Sequence, residues 1–414
     1  MTKYWFYLEP DVFIIKKLSK VILYNSLSKD LIHVNPSFEI LHLIDKLLNP
    51  NELYVIQITS IDLENKQIST FIHLVRKSFF GDLIVQTGNI KPVIIPPILK
   101  IHKSKDTIHK DPGFNIGKNI LSYLNELVLY INGKCGLNCN FCSKMYHQFD
   151  FCTKNTGELS IIDIEKLINI SLTLSSCKII ITGGNIFDHS AFLNLVEIIK
   201  QKRQNGLEIW FGIHYLNLDT EKLNLIVHNS TINLYVYVVF PIDQIRFVNF
   251  IKYTNSISDR ITYVFVTKEE SELILVQKII DKNQIENNSV IKPFYNERNI
   301  KFFEEYVFFD ENDIQNNFPN KQDYFSKQTL NTYDFGKLIV NSKGEIQANT
   351  NYPIIGNIQD NFADVIYKEF IEGKSWFRIR EQEPCNNCTY QWLCPSPSNY
   401  EIAIDRPNLC YVKS

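Results

Sequence analysis

The sequence predicts an α/β protein, a partial (β/α)6 barrel with a small α+β unit before it and a cysteine-rich module after it. Two patterns carry that expectation. A strand-and-helix alternation begins near Leu127 and supplies six strand candidates, and the texture of the chain changes on either side of it. Repeated βα units imply a parallel sheet, because a parallel neighbour is reached only through a long crossover, and six of them suit a partial barrel.

Residues 1–110 hold short apolar runs, Val12–Ile15 and Val21–Tyr24, then a helical pattern from Phe38 to Leu48 closed by Asn49-Pro50. The order, an extended stretch followed by a helix, reads as a small α+β domain. The polar stretch His102–Gly113 has the composition of a linker. Residues 115–300 carry the barrel. Its strand candidates are Leu127–Ile131, Lys178–Thr182, Leu207–Ile213, Leu234–Phe240, Ile261–Val266 and Ser289–Phe294. Between them lie a helix opened by Ser160 with Asp163 in capping-box spacing and another from Ala191 to Lys202 behind Asp188. The run Lys268–Glu272 reads as the solvated start of a helix, its acids near the positive end of the helix dipole. Residues 330–414 open with a hairpin, Lys337–Gln347, turning at Ser342-Lys-Gly344, and continue with a helix from Phe362 to Glu372.

Composition narrows the function. A chain of 414 residues, 45% hydrophobic, has room for two or three cored domains. A net charge of −2 gives no general pull toward nucleic acid or anionic membrane. No apolar run approaches spanning length, and Met1-Thr-Lys-Tyr-Trp-Phe lacks the apolar stretch of a signal peptide, so a cytoplasmic location is expected. In that reducing compartment nine cysteines are poorly explained as disulfides.

Seven of the nine fall into two groups. Cys135, Cys139 and Cys142 stand in C-x3-C-x2-C spacing on the loop that leaves the first barrel strand. Three thiolates on one tight loop can hold three corners of a four-iron cluster and leave the fourth iron open. Parallel α/β folds collect their chemistry at the carboxyl ends of strands, and Thr182-Gly183-Gly184-Asn185 leaves the second strand at that same end. The second group, Cys385, Cys388, Cys394 and Cys410, is dense enough for a metal site, and four cysteines suit zinc as well as an iron–sulfur cluster. Cys152 and Cys177 read as small buried apolar residues, and Lys144, Tyr146 and His147 as exposed loop residues.

Together these segments resemble the radical S-adenosylmethionine enzymes that carry a SPASM-type C-terminal domain, the combination found in peptide-modifying maturases. Phe141 is the aromatic residue before the third cysteine of the family loop, and Asn185 stands where the family's Gly-Gly-Glu has its carboxylate. The resemblance implies a radical-generating [4Fe-4S] cluster on Cys135, Cys139 and Cys142, and S-adenosylmethionine held by Phe141, Thr182, Gly183, Gly184 and Asn185. A full SPASM domain holds two auxiliary clusters. Here Gly356 matches its glycine, but Asn361 and Ser398 replace cysteines of the inner cluster, while Cys385, Cys388, Cys394 and Cys410 match all four ligands of the outer one. One auxiliary [4Fe-4S] cluster is implied.

The ending Tyr390–Glu401 is similar to a narrower group that accompanies double-glycine precursor peptides in Bacteroidetes-type systems, some of whose members are pseudo-radical-SAM proteins. The order of the first hundred residues is similar to winged-helix domains that capture leader peptides. The resemblance therefore implies a precursor peptide as substrate and an electron donor such as a flavodoxin or ferredoxin. Its alternative is a weakly catalytic or inactive protein that binds the precursor and assists a partner maturase.

Overall fold

The computed structural model describes residues 1–18, 20–88, 90–97, 120–174, 177–203, 207–227, 233–257 and 260–412. The linker expected at His102–Gly113 lies outside the described residues.

Fifteen strands are described. They are β1 (Lys3–Leu8), β2 (Val12–Lys17), β3 (Lys20–Asn25), β4 (Asp30–Val34), β5 (Val55–Thr59), β6 (Gly81–Val85), β7 (Glu126–Asn132), β8 (Lys178–Gly183), β9 (Ile209–His214), β10 (Asn233–Val239), β11 (Ile261–Thr267), β12 (Ser289–Pro293), β13 (Lys337–Val340), β14 (Glu345–Gln347) and β15 (Gly356–Asn357). Helices α1 (Phe38–Leu48), α2 (Ser60–Glu64) and α3 (Lys66–Lys77) belong to the first unit; α4 (Cys142–Phe149), α5 (Ile161–Leu172), α6 (Phe192–Arg203), α7 (Thr220–Val227), α8 (Gln244–Asn255) and α9 (Glu270–Asn283) lie in the chain between β7 and β12. After them come α10 (Ile300–Tyr306), α11 (Glu311–Asn316), α12 (Lys321–Thr329), α13 (Phe362–Glu372) and α14 (Asn399–Ile404).

The fold is α/β with a mixed central sheet. Strands β7 to β12 are parallel neighbours in chain order, as six consecutive βα units require, and β13 adds to the other edge of β7, also parallel, before β14 and β15 turn back antiparallel. Alternation along β7 explains why both faces are apolar: Leu127, Leu129 and Ile131 enter the core under the helices, while Val128 and Tyr130 face the other side with Ile180 and Ile339. Local signals set the helix ends. Ser160 accepts from Asp163 N at 3.1 Å and opens α5, Asn49 closes α1, and Gly344 at φ +81° makes the β13–β14 turn.

Two small sheets form the first unit, ordered β5-β1-β6 and β2-β3-β4. In the second, Phe13, Ile15, Ile22 and Tyr24 share a core with Phe318, Tyr324, Tyr390 and Leu393 of the C-terminal segment, and Lys17 Nζ reaches Asn386 O at 2.8 Å. One face of the sheet is thereby buried and β4 is left as an edge strand, paired with β3 alone. No helix among the described residues is long and apolar enough to cross a membrane.

Candidate functional site

Asn132, the last residue of β7, ties two loops together. Its Oδ1 accepts from Lys134 N at 2.7 Å, its Nδ2 donates to Asn185 O at 2.8 Å, and its carbonyl accepts from Gly184 N at 2.7 Å. Asn185 N completes the seam on Lys134 O at 2.6 Å. The loops come so close that only glycine fits. A Cβ on Gly183, whose φ is +137°, would lie 2.4 Å from Asn132 O, and one on Gly184 would lie 2.2 Å from Lys134 O. The glycine pair is thus the geometric condition for bringing the ends of β7 and β8 together.

The loop between Lys134 and α4 then curls over the strand ends. Phe141 adopts the left-handed conformation, φ +61°, at the start of α4 and sets its ring 5.6 Å from that of Phe294. Cys135, Cys139, Cys142, Phe141 and Gly184 all line one cavity of about 340 Å³. Backbone and side-chain donors reach its sulfurs: Asn217 Nδ2 lies 3.5 Å from Cys135 Sγ and Lys154 N lies 3.4 Å from Cys142 Sγ. Burial, with the nearby Cys142 and Cys135, pushes the Cys139 thiol up to about 11. Ionising it costs free energy in the bare protein, and a bound cation or cluster removes that cost.

The other residues expected at this site lie beside the cavity. Thr182 is fully buried and donates to Gly212 O at 3.2 Å, fastening β8 to β9. The Asn185 amide donates to Asp188 Oδ2 at 2.8 Å and its Oδ1 caps the following turn at Phe187 N, 3.3 Å. Lys144, Tyr146 and His147 are not loop residues. They ride on α4, where Lys144 pairs with Glu297 at 2.7 Å and His147 Nδ1 meets Thr350 O at 3.0 Å. Cys152 and Cys177 are buried as expected, and Cys152 also lines the cavity.

Sequence reasoning missed His214 and Asn217, single polar residues just past an apolar strand with no motif around them. His214, the last residue of β9, is 2% exposed and lines the cavity. Its Nδ1 accepts from Leu216 N at 3.2 Å, which assigns the proton of the neutral ring to Nε2, and Nε2 has no partner among the described residues. Burial pushes its pKa down to about 4. Between that value and the unfolded value near 6.5, the unfolded chain binds a proton that the folded chain refuses, so stability is lost as pH falls. Urea unfolding of cluster-free protein is expected to lose on the order of 2 kcal/mol more between pH 7 and pH 4 in the wild type than in His214→Gln. Equal losses would mean that the ring is not held neutral.

Cys385, Cys388, Cys394 and Cys410 meet around a second, small cavity of about 20 Å³, shared with Arg380 and Asn408. A single helical turn, Cys385–Asn387, brings Cys388 N to Cys385 O at 3.1 Å. Cys410 arrives from 16 residues after Cys394 because its neighbours pair with Phe309, Phe309 N to Leu409 O and Tyr411 N to Phe309 O, each at 3.1 Å. Tyr390 N lies 3.4 Å from Cys388 Sγ and Asn408 Nδ2 lies 3.7 Å from Cys385 Sγ. All nine cysteines are free thiols, and the described residues contain no group of three or more His, Cys, Asp or Glu side chains arranged to hold a metal ion.

No family model matches the chain. A segment of 74 residues is 37% identical to a probable GTP 3',8-cyclase of Methanothermobacter thermautotrophicus, a match that spans 18% of this chain and 23% of that protein. Among solved structures the chain is similar to Streptococcus suis SuiB bound to precursor peptide SuiA, at 13% identity and TM-score 0.48 over 98% of both chains. It is also similar to anSMEcpe with bound AdoMet, at 15% identity and TM-score 0.46 over 68% of this chain and 91% of that one.

Proposed function

We propose that this protein is a radical S-adenosylmethionine enzyme that modifies a ribosomally made precursor peptide. One observation carries the reading: three thiols from the loop after β7 and Gly184 from the loop after β8 face the same cavity at the carboxyl ends of parallel strands. In this reading Cys135, Cys139 and Cys142 would hold a four-iron cluster. Such a cluster, given one electron by a donor such as a flavodoxin or ferredoxin, supplies reductive cleavage of S-adenosylmethionine to methionine and a 5'-deoxyadenosyl radical.

The chain's own residues do the rest. Asn217 and Lys154 N direct N–H groups at two of the sulfurs, which spreads thiolate charge and tunes the site. Gly183 and Gly184 let the loops after β7 and β8 close on each other, which sets Gly184 in the cavity wall. Phe151, Phe141 and the neutral His214 wall the cavity and keep water from a reactive species. Cys385, Cys388, Cys394 and Cys410 line one cavity, and in this reading a bound metal would draw their thiols together as the ligands of one auxiliary cluster or of zinc, which metal analysis separates.

The first unit supports a peptide substrate. Edge strand β4 and helix α3 flank a groove of about 490 Å³ whose walls include His33, Asn35, Lys66, Gln67 and Thr70. An open strand edge accepts an extended peptide through backbone hydrogen bonds, and the adjoining groove reads its side chains. Thr70→Trp, which fills the groove, is expected to weaken binding of a precursor encoded beside this gene about tenfold or more in fluorescence anisotropy, about 1.4 kcal/mol. Unchanged affinity would remove the leader-binding role from this unit.

A second reading, a precursor-binding partner with weak or no catalysis, rests on one feature. The residues lining the cysteine cavity include no carboxylate, and the Asn185 amide is committed to Asp188.

A further inference from the structure

A separate cavity of about 480 Å³ lies between the barrel and the C-terminal segment. Asp150, Lys292 and Lys337 come to it from the barrel side, Arg378, Arg380, Ser398, Tyr400 and Glu401 from the C-terminal side. Eleven buried side-chain atoms lack a hydrogen-bond partner among the described residues, and four of them belong to the walls of this one cavity: Asp150 Oδ1, Arg378 Nε, Arg380 Nη1 and the Tyr400 hydroxyl. A buried polar atom left unpaired costs on the order of 1–3 kcal/mol, so four in one place call for a ligand or ordered water.

The charges decide which ligand. Lys337 pairs with Asp150 at 2.7 Å, Arg378 lies 3.7 Å from Asp334, and Arg380 pairs with Glu401 at 2.8 Å. Glu126, also in the wall, is matched by Lys178 at 3.5 Å. Lys292 has no hydrogen-bonded or ion-paired partner among the described residues and is the surplus cation. One surplus positive charge among several acids favours a singly charged anion and repels a dianionic phosphate. Of the donors left over, two are guanidinium N–H groups, one from Arg378 and one from Arg380, and charge-assisted donors of this kind suit a carboxylate oxygen. The volume falls in the range of small-molecule pockets and exceeds what a bare carboxylate fills, and Asp150 Oδ1 remains to accept from an amide.

We propose that this cavity binds a carboxylate carried on a peptide, its C-terminus or an acidic side chain, with Lys292, Arg378 and Arg380 as the recognising cations. The peptide part rests on the function proposed above, and Ser398, where the resemblance sets a cysteine of the lost inner cluster, stands in the wall.

The test is calorimetric titration of the full-length protein with N-acetyl-triglycine, with its C-terminal amide, and with N-acetyl-Gly-Glu-Gly-amide. At least one carboxylate peptide is expected to bind about tenfold tighter than the amide, and the tighter of the two identifies the source. Lys292→Met is expected to abolish that preference. Since it removes no ion pair it should melt with the wild type, whereas Arg380→Lys, in a buried pair, is the second variant, expected to bind more weakly while keeping the charge. Equal binding of acid and amide, no binding up to roughly 10 mM, or a preference that survives Lys292→Met would overturn the proposal. The readout needs neither iron nor S-adenosylmethionine. A preserved carboxylate preference without cofactor cleavage sinks the proposed function alone, and cleavage without the preference sinks this proposal alone.

Discussion

Cys139→Ala is expected to eliminate 5'-deoxyadenosine formation and to lower reconstituted iron by about four atoms per chain, from about eight to about four. Cys139 is one of only three thiols on the loop after β7, and burial with its two cysteine neighbours pushes its thiol up to about 11. Two loop thiols would remain where the reading needs three. The loop sulfurs make few contacts that hold the fold, so far-ultraviolet circular dichroism and the melting temperature of cluster-free protein should match the wild type. Cys388→Ala provides the complement. It should remove iron or zinc from the other site while leaving the first cluster in place, because the two groups of cysteines line different cavities. If Cys139→Ala retained full iron and turnover, the loop would not be the cluster ligand.

Gly184→Ala is expected to raise the dissociation constant for S-adenosylmethionine at least about tenfold and to destabilise the fold by about 1–3 kcal/mol. The new Cβ would lie 2.2 Å from Lys134 O and 2.7 Å from its carbonyl carbon, both backbone atoms, so the two loops must separate. That movement strains the seam formed by Gly184 N on Asn132 O and Asn185 N on Lys134 O, and it shifts the first cysteine, which follows Lys134 directly. Gly136→Ala is the control on the same loop, since nothing lies within 4 Å of its added carbon. Equilibrium dialysis with labelled cofactor and urea unfolding measure the two effects. Equal behaviour of the two variants would mean that the close approach of the loops does not shape the cavity.

The parallel strands were legible because their signals are local and periodic. The six apolar runs from Leu127 to Phe294 became β7 to β12 in order, and Ser160, Asn49 and the Phe362–Glu372 pattern fixed helix ends to within a residue. The joint cavity of Cys135, Cys139, Cys142 and Gly184 followed from one rule, that parallel strands put their carboxyl ends on one side. What the sequence hid depends on contacts between distant segments. Nothing in Val12–Lys17 says that Phe13 and Ile15 will bury themselves against Tyr324 and Leu393, which lie far along the chain. Nor does Lys337–Val340, read as half of a hairpin, announce that it also pairs parallel with β7. The helix at α4 was missed because its single apolar face is short and the residue that launches it, Phe141, sits in a left-handed conformation that propensity does not favour. Asn185 has a side chain small enough to cap the one-turn helix beginning at Ile186, and its local hydrogen bonds to Asp188 and Phe187 turn it from the cavity.

The measurement that bears most directly on the account is a single experiment on oxygen-free, iron-and-sulfide-reconstituted protein. Iron and zinc are counted per chain, and 5'-deoxyadenosine is followed after adding S-adenosylmethionine and a strong reductant. The account predicts about eight irons and sustained 5'-deoxyadenosine, the iron of two four-iron clusters. Iron bound at the first site with no 5'-deoxyadenosine, in the presence or absence of the precursor peptide, would contradict it and leave the precursor-binding partner as the function.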